Sequence, residues 1–554
     1  MPASNRPTSR PTSRRRLLQG AAALSAASAA PTIASSPQSA LAAPTRQAGG
    51  GTLTIAMNGS PTNLDPHSSY DYRSALAIRG PYETLIALDG TETDQYVGAV
   101  AESWSANEDQ SVWTFTIRPG VTFQNGDPCD AEAVRLSFER FLTLGLGPVN
   151  VIGRFVADPA QITAPDSSTV VFDLGSPQPI FESAIASQYG PLILNANLAR
   201  EYEVDGDWGS AWAQTNTEGL GTGAYRIASF DPGREMVMER YENYWGGWDG
   251  SEFETIALRV VEENETRRQL VERGDADIVD NLTPEALAAM EGNADLLIDR
   301  SYSTQVLYLM LTEAGPLATP EARQAMNYAF PFDEVVDAVY RGYAKRAIGP
   351  VAELCRGFAP GTFQYPTDLE KARELFAAAG VAEGTEFVLM QEAGDEKLKT
   401  ATQLLQANLA EIGMTLTIET VDLGTINGVI YGDAPAEERP NLIPSFWWPD
   451  YNDAYNHLYP QVSCDSWGSK GANGGFYCNE EVDAGLAAAK DAPDAATYDA
   501  ALAEVQQVLS ETDPSGIYYL QPEWTTVLRS GISGFVFNPI YIGTYDFYRL
   551  RREA

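Results

Sequence analysis

Histidine is nearly absent: the 554-residue chain holds two, His67 and His457. That leaves little material for a Ser-His-Asp triad or a His-based metal site. No Gly-x-Ser-x-Gly elbow, His-Glu-x-x-His pair or Gly-x-x-x-x-Gly-Lys-Ser/Thr phosphate loop is present. The 75 acidic residues could supply a glycosidase carboxylate pair, but no spacing selects one. No catalytic residue, metal ligand or cofactor is therefore assigned. Positive charge is also scarce. Against 75 Asp+Glu stand 37 Lys+Arg, a net charge of −38. Such a chain suits neither nucleic-acid phosphates nor anionic lipid. Lysine numbers six (345, 371, 397, 399, 470 and 490). Many carboxylates with few lysines resemble proteins of saline habitats, where screening relieves self-repulsion; a merely acidic exported protein is the alternative.

Long apolar runs are missing too. The one candidate is the Ala-rich stretch after Ser13-Arg14-Arg15-Arg16-Leu17-Leu18-Gln19, and it is too short to span a bilayer. A basic start, an apolar middle and Ala40-Leu41-Ala42 describe an export signal over residues 1–42. The paired arginines before two leucines match a twin-arginine signal. No cysteine lies near the cleavage site, so no lipid anchor is expected, and the mature chain is read as a free periplasmic monomer.

Four cysteines remain. Export permits disulfides, and Cys464 and Cys478 flank a Gly-rich loop at 468–475. A bridge there would contribute about 3 kcal/mol. Cys129 and Cys355 are read as separate buried thiols unless the fold brings them together.

At this length roughly three or four domain-sized units are expected. The local patterns alternate strand and helix. Residues 52–57 and 113–117 alternate as strands do. Asp130 can cap a helix carrying Val134, Phe138 and Phe141 at helical spacing. Thr319-Pro320 reads as a cap with a first-turn proline, and Thr367-Asp368-Leu369-Glu370 as a capping box ending at Gly380. A helix over 396–412, a glycine at 413 and a strand over 414–421 complete an α/β rhythm. Gly221-Thr222-Gly223-Ala224-Tyr225 lacks the strand–helix context of a dinucleotide site and reads as a turn entering a strand.

Several separated stretches, in order, resemble the family 5 extracytoplasmic solute-binding proteins, the dipeptide, oligopeptide and nickel receptors of ABC importers. They are residues 50–55 followed by Asn63-Leu64-Asp65-Pro66-His67, then 100–104, 113–126, 130–140, 221–225, 241–247, 268–278, 321–329 and 369–380. The resemblance implies a two-lobed α/β binding protein closing about a hinge. Lobe I would comprise 43–88, 201–302 and 521–554, with an inserted subdomain at 89–200. Lobe II would span 303–520. Crossings are expected near 300–304 and 519–524. The implied role is a non-enzymatic receptor that passes a solute, foremost a peptide, to membrane permease subunits. An oligosaccharide or opine-like solute is the alternative within that role; an exported hydrolase is the alternative outside it. A nickel chelate is disfavoured by the histidine count.

The segment Phe446-Trp447-Trp448-Pro449-Asp450-Tyr451-Asn452-Asp453 resembles the family's ligand loop. By that resemblance Asp450 pairs with a peptide ammonium, Trp447 walls the cleft, and Trp448, Tyr451 and Asp453 accompany them. Two departures weigh on the peptide assignment: Ala454 stands for the usual Pro, and Trp448 for a small residue. Tyr70, Asp71 and Tyr72 occupy the first-lobe loop expected to face ligand, offering flat apolar faces and hydroxyls.

Overall fold

The computed structural model describes residues 50–492 and 494–553; the expected signal at 1–42 lies outside them. Its spine is a mixed sheet of twelve strands. On one side Thr52–Met57 runs parallel to both Thr255–Val260 and Ile278–Asp280, and Glu235–Arg240 and Tyr225–Asp231 extend the edge antiparallel. On the other side Glu386–Glu392 runs parallel to Thr415–Val421 and to Leu442–Trp447, which pairs with Val306–Leu311. Parallel strands need covering on both faces, and each half has its own buried core. One gathers Leu53, Ile55, Ile256, Leu258 and Leu528; the other gathers Leu309, Ala325, Phe376, Leu389 and Leu405.

One strand, Gly516–Arg529, belongs to both halves. Its first residues pair with Val306–Leu311, and residues 523–529 pair with Leu296–Tyr302. Residues 303–305 join those two partner strands, so the chain passes between the halves beside the long strand. There Thr304 donates its hydroxyl to the Pro539 carbonyl at 2.9 Å.

A separate four-stranded antiparallel sheet is ordered Ala101–Ala106, Val112–Ile117, Thr169–Asp173, Ile162–Asp166. The helix Ala131–Leu144 packs on it through Phe138, whose ring meets Phe172 edge-on at 5.0 Å. Asp130 caps this helix by accepting from the Ala133 N–H, and Gly145 ends it in the left-handed region at φ 61°. Arg140, on the same helix, reaches Asp65 with two hydrogen bonds of 2.9 and 2.7 Å and pins this sheet's helix to the first segment.

The local expectations hold with one correction. Helices run Pro320–Ala329, Leu369–Ala378 and Glu396–Glu411, and Thr319 caps the first. At the second, the cap is Asp368 and not Thr367. Asp368 accepts from the Lys371 N–H, while the Thr367 hydroxyl turns away to the Phe330 carbonyl. A carboxylate is the stronger acceptor for the helix N–H groups, which frees the threonine. Residues 221–224 do lead into the strand Tyr225–Asp231. A Cβ at Gly221 would lie 1.8 Å from the Pro81 carbonyl oxygen, so close backbone approach, not phosphate binding, accounts for the glycine. Cys464 and Cys478 are bridged, with Cα atoms 4.7 Å apart; Cys129 and Cys355 are separate and buried.

Candidate functional site

In sheets with parallel pairs, ligand crevices form beyond the carboxyl ends of strands. Leu442–Trp447 ends in this way. Pro449 cannot continue its hydrogen-bond ladder, and the chain turns through Trp448–Asp450 before the helix Ala454–Val462. Asp453 supplies that helix's cap: one carboxylate oxygen accepts from the Tyr455 N–H at 2.8 Å and from the Tyr498 hydroxyl. Asp453 is fully buried and lines neither cavity described below. Its carboxylate serves the helix end, the nearest cluster of unsatisfied donors.

Asp450 faces the other way. Tyr70 donates its hydroxyl to Oδ1 at 2.8 Å, and the Asn456 amide donates to Oδ2 at 3.2 Å. Asn456 also accepts the Asp450 N–H at 2.7 Å, and Ser187 donates to the Asp450 carbonyl at 2.6 Å. Among the described residues no cation lies within ion-pair distance of this carboxylate. Burial pushes its pKa up, the Tyr70 and Asn456 hydrogen bonds only partly offset that, and the group stands at about 6.

Two cavities meet at Asp450. The larger, of about 910 Å³, carries Arg154, Tyr451, Tyr455, Lys470 and Lys490 on its wall; the smaller, of about 140 Å³, carries Leu423, Ile426, Ile430 and Phe446. Tyr70, Tyr431, Trp447 and Asp450 line both. Trp447 is held by its indole N–H on the Asn456 carbonyl at 3.0 Å. Trp448 lines the smaller cavity and stacks on Phe446 with centroids 5.2 Å apart. Tyr451 lines the larger and accepts from Arg154 at 2.6 Å. Asp71 lines the smaller while capping the helix Tyr72–Ile78. Tyr72 lines neither. It braces Trp448 and Trp524 from behind, edge-on at 6.2 and 5.9 Å.

Six of the eight residues expected at the site thus converge: Tyr70, Asp71, Trp447, Trp448, Asp450 and Tyr451. Tyr72 and Asp453 do not reach it. Arg154 and Tyr431 were not foreseen. Arg154 lies over the Tyr455 ring at 4.0 Å and has no carboxylate within ion-pair distance among the described residues. Its only sequence signal is a lone cation in the apolar run Val151-Ile152-Gly153-Arg154-Phe155-Val156. Tyr431 follows the helix Leu423–Ile430, a segment with no distinguishing pattern. The Cys464–Cys478 bridge closes the loop that brings Lys470, Gly471 and Ala472 to the larger cavity.

The description of bacterial extracellular solute-binding proteins, family 5 (middle), matches residues 95–469. The chain belongs to this family. Among its relatives, the probable D,D-dipeptide-binding periplasmic protein DdpA of Escherichia coli K12 is 27% identical over 492 residues, 88% of this chain and 92% of its own length. The glutathione-binding protein GsiB of Salmonella typhi is 26% identical over 466 residues, covering 83% and 87%. The periplasmic binding protein DppA of Helicobacter pylori, solved with the peptide STSA, superposes with a TM-score of 0.79 at 22% identity, covering 91% of this chain and 99% of that one. That superposition establishes the two-lobed fold. At the end of the strand Leu442–Trp447 the chain therefore carries a cavity lined by Asp450 and Arg154, neither of which has an ion-pair partner among the described residues.

Proposed function

We propose that this family 5 protein is the non-enzymatic, periplasmic receptor of an ABC importer, that it binds a peptide between its lobes, and that it delivers the peptide to the permease subunits. The observation that carries the reading is Asp450, a buried carboxylate with only neutral hydrogen-bond partners that opens onto both cavities. An ammonium group supplies the missing charge, and in an enclosed cleft a charge-assisted hydrogen bond is worth more than in water. Arg154, with no carboxylate within ion-pair distance among the described residues, offers a fork suited to the ligand's carboxylate. Lys470 and Lys490, two of the chain's six lysines, line the same larger cavity. Its volume of about 910 Å³ is within the range of small-molecule sites. Relatives named for dipeptide and glutathione binding agree with a zwitterionic ligand.

In this reading lobe I comprises 43–88, 201–302 and 521–554 with the 89–200 insertion, and lobe II comprises 303–520. Tyr70 and Arg154 then come from lobe I, and Asp450 and Tyr451 from lobe II, so their bonds close the lobes on one another. Export through the twin-arginine route as a monomer without a lipid anchor belongs to the same proposal.

The mature protein, purified from its native compartment and denatured, should release peptides detectable by mass spectrometry. Asp450→Asn should cut that release at least tenfold. Recovery of a sugar or an opine overturns the peptide assignment, and conversion of added ligand into a new product overturns the receptor role.

A further inference from the structure

We infer that a second small-molecule site lies in a cavity of about 340 Å³ away from Asp450, and that it takes a free amino acid with an aromatic side chain. Its wall is drawn from residues 79–99, 224–245 and 536–551 and shares none of them with the two cavities at Asp450. No wall residue comes from 303–520, so the cavity does not depend on how the lobes close and stands apart from the peptide reading. Its volume is within the range of ligand pockets.

The two ends of the ligand follow from charge. Arg79, Glu83, Asp546, Arg549 and Arg551 line the cavity. Arg549 pairs with Asp546 at 3.1 Å, and Arg551 with Glu252 at 3.0 Å. Arg79 and Glu83 are left. Arg79 has no carboxylate within ion-pair distance among the described residues, and its guanidinium lies over the Tyr541 ring, 4.8 Å from the centroid. That ring is fixed, because its hydroxyl accepts from the Leu88 N–H at 3.0 Å and donates to the Ala186 carbonyl at 2.6 Å. Glu83 has three neutral donors: the Tyr244 hydroxyl on Oε1 at 2.7 Å, and Thr222 and Trp245 on Oε2 at 2.8 and 2.9 Å. A carboxylate offers about four acceptor sites, so Oε1 keeps one free. Burial pushes the Glu83 pKa up, and those bonds only partly offset it. One unanswered charge of each sign fits a ligand that carries both, its carboxylate on the Arg79 fork and its ammonium on Glu83 Oε1.

The side chain of the ligand follows from the rings. Tyr225, Tyr244, Trp245, Tyr541, Phe547 and Tyr548 line the same cavity. Tyr225 donates its hydroxyl to the Phe253 carbonyl at 2.9 Å, and Tyr548 donates to those of Gly246 and Gly247 at 3.1 and 2.9 Å. With these hydroxyls engaged inside the protein, what the residues offer a ligand is ring surface, which suits another ring edge-on or offset.

Calorimetric titration of the mature chain with Phe, Tyr and Trp tests this, with phenylpropionate, phenethylamine and Ala as controls that each lack one group. The controls should bind at least about tenfold more weakly, the loss of one charged hydrogen bond or one buried side chain. Arg79→Gln should weaken Phe by about the same factor in a variant whose fold circular dichroism verifies. Val536→Trp, at an exposed wall position, narrows the cavity and should weaken Phe as well. Asp450→Asn should leave Phe affinity within about twofold, since separate sites act independently. No binding of Phe, Tyr or Trp, or affinity no greater than that of the controls, overturns the site. Phe affinity kept in both Arg79→Gln and Val536→Trp overturns it too, and its loss in Asp450→Asn alone places the amino acid in the cleft instead. If no peptide is released from the native protein but Phe binds and is lost in Arg79→Gln, the peptide reading falls and this site stands.

Discussion

Asp65 and Asp450 are both shielded from water, yet their surroundings differ in kind. Asp65 accepts two guanidinium N–H bonds from Arg140 and a hydroxyl from Ser210 at 2.6 Å. Burial pushes its pKa up, but the hydrogen bonds and charge of Arg140 outweigh burial and hold it below the ordinary value. His67 joins the group as a neutral ring. It accepts from Arg140 at Nδ1, and Nε2 faces the Leu192 carbonyl at 3.0 Å. Burial first, and then the Arg140 charge, push its pKa down to about 3. Asp450 is also buried but has no cation within ion-pair distance among the described residues, and its pKa moves the opposite way. A carboxylate whose charge is answered inside the protein is part of the framework; one whose charge is left unanswered beside a cavity awaits a partner from outside.

The largest effect should come from breaking the answered pair. Arg140→Met strands Asp65 and should cost about 3–5 kcal/mol of stability at pH 7, read from urea midpoints. Because the folded-state pKa of Asp65 is depressed, the pair's contribution is present above the unfolded carboxylate value and lost as pH falls through the folded one. The penalty should therefore shrink in acid. Ligand affinity of the folded variant should not change. A cost below about 1 kcal/mol would show that Asp65 is not held by Arg140 in the way the geometry implies.

Asp450→Asn should act in the opposite sense. Its folded pKa of about 6 lies above the unfolded value of 3.8, so the protonated form is the one the fold prefers. Stability from this group is full below pH 4 and is lost as pH rises through 6. A shift of two units corresponds to about 3 kcal/mol. The Asn amide cannot accept from both Tyr70 and Asn456, so a net gain of about 1–2 kcal/mol at pH 7 is expected. That gain should vanish near pH 4. Ligand affinity should fall in the same variant, and in the wild type it should decline below pH 6, where a proton competes for the carboxylate. A variant less stable than wild type at pH 7 would erase the contrast with Asp65.

The two carboxylates also show what the sequence can convey. Local periodicity reached the strands and helices because each is written in consecutive residues: Thr52–Met57 alternates, and Ala131–Leu144 carries its apolar stripe between Asp130 and Gly145. The disulfide was legible from spacing on a Gly-rich loop. Asp450 and Trp447 were legible as parts of one segment, but the roles within that segment were not. Asp450 and Asp453 are both acids just before a helix, and only the turn at Pro449 decides which one caps and which one faces the cavity. Arg154 was invisible for a different reason. It meets Tyr451 across a sequence separation of 297 residues, and no local pattern encodes such a meeting. Tyr431 likewise reaches the site only because the helix before it packs below the strand Leu442–Trp447.

The smallest expected effect is the sharpest test of how Asp450 is poised. Tyr70 keeps 46% of its surface exposed, and its hydroxyl is one of two side-chain donors on the Asp450 carboxylate among the described residues. Tyr70→Phe removes that donor and keeps the ring. The carboxylate then loses a hydrogen bond that favours its charged form, so its pKa should climb further above 6. The lost bond is charge-assisted when Asp450 is ionised, but Tyr70 is partly exposed and water can take the place of its hydroxyl, so stability should fall by only about 1 kcal/mol. The pH at which peptide affinity is half lost should move upward in the variant. At pH 8, where Asp450 remains ionised in both proteins, the affinity difference should stay below about tenfold, the equivalent of about 1.4 kcal/mol. An unmoved midpoint would mean that Tyr70 only packs against Asp450, and the carboxylate's charge would then be set by burial and Asn456 alone. A loss well beyond tenfold at pH 8 would instead place the Tyr70 hydroxyl directly on the ligand, making the first-lobe loop a binding element and not a brace for the carboxylate.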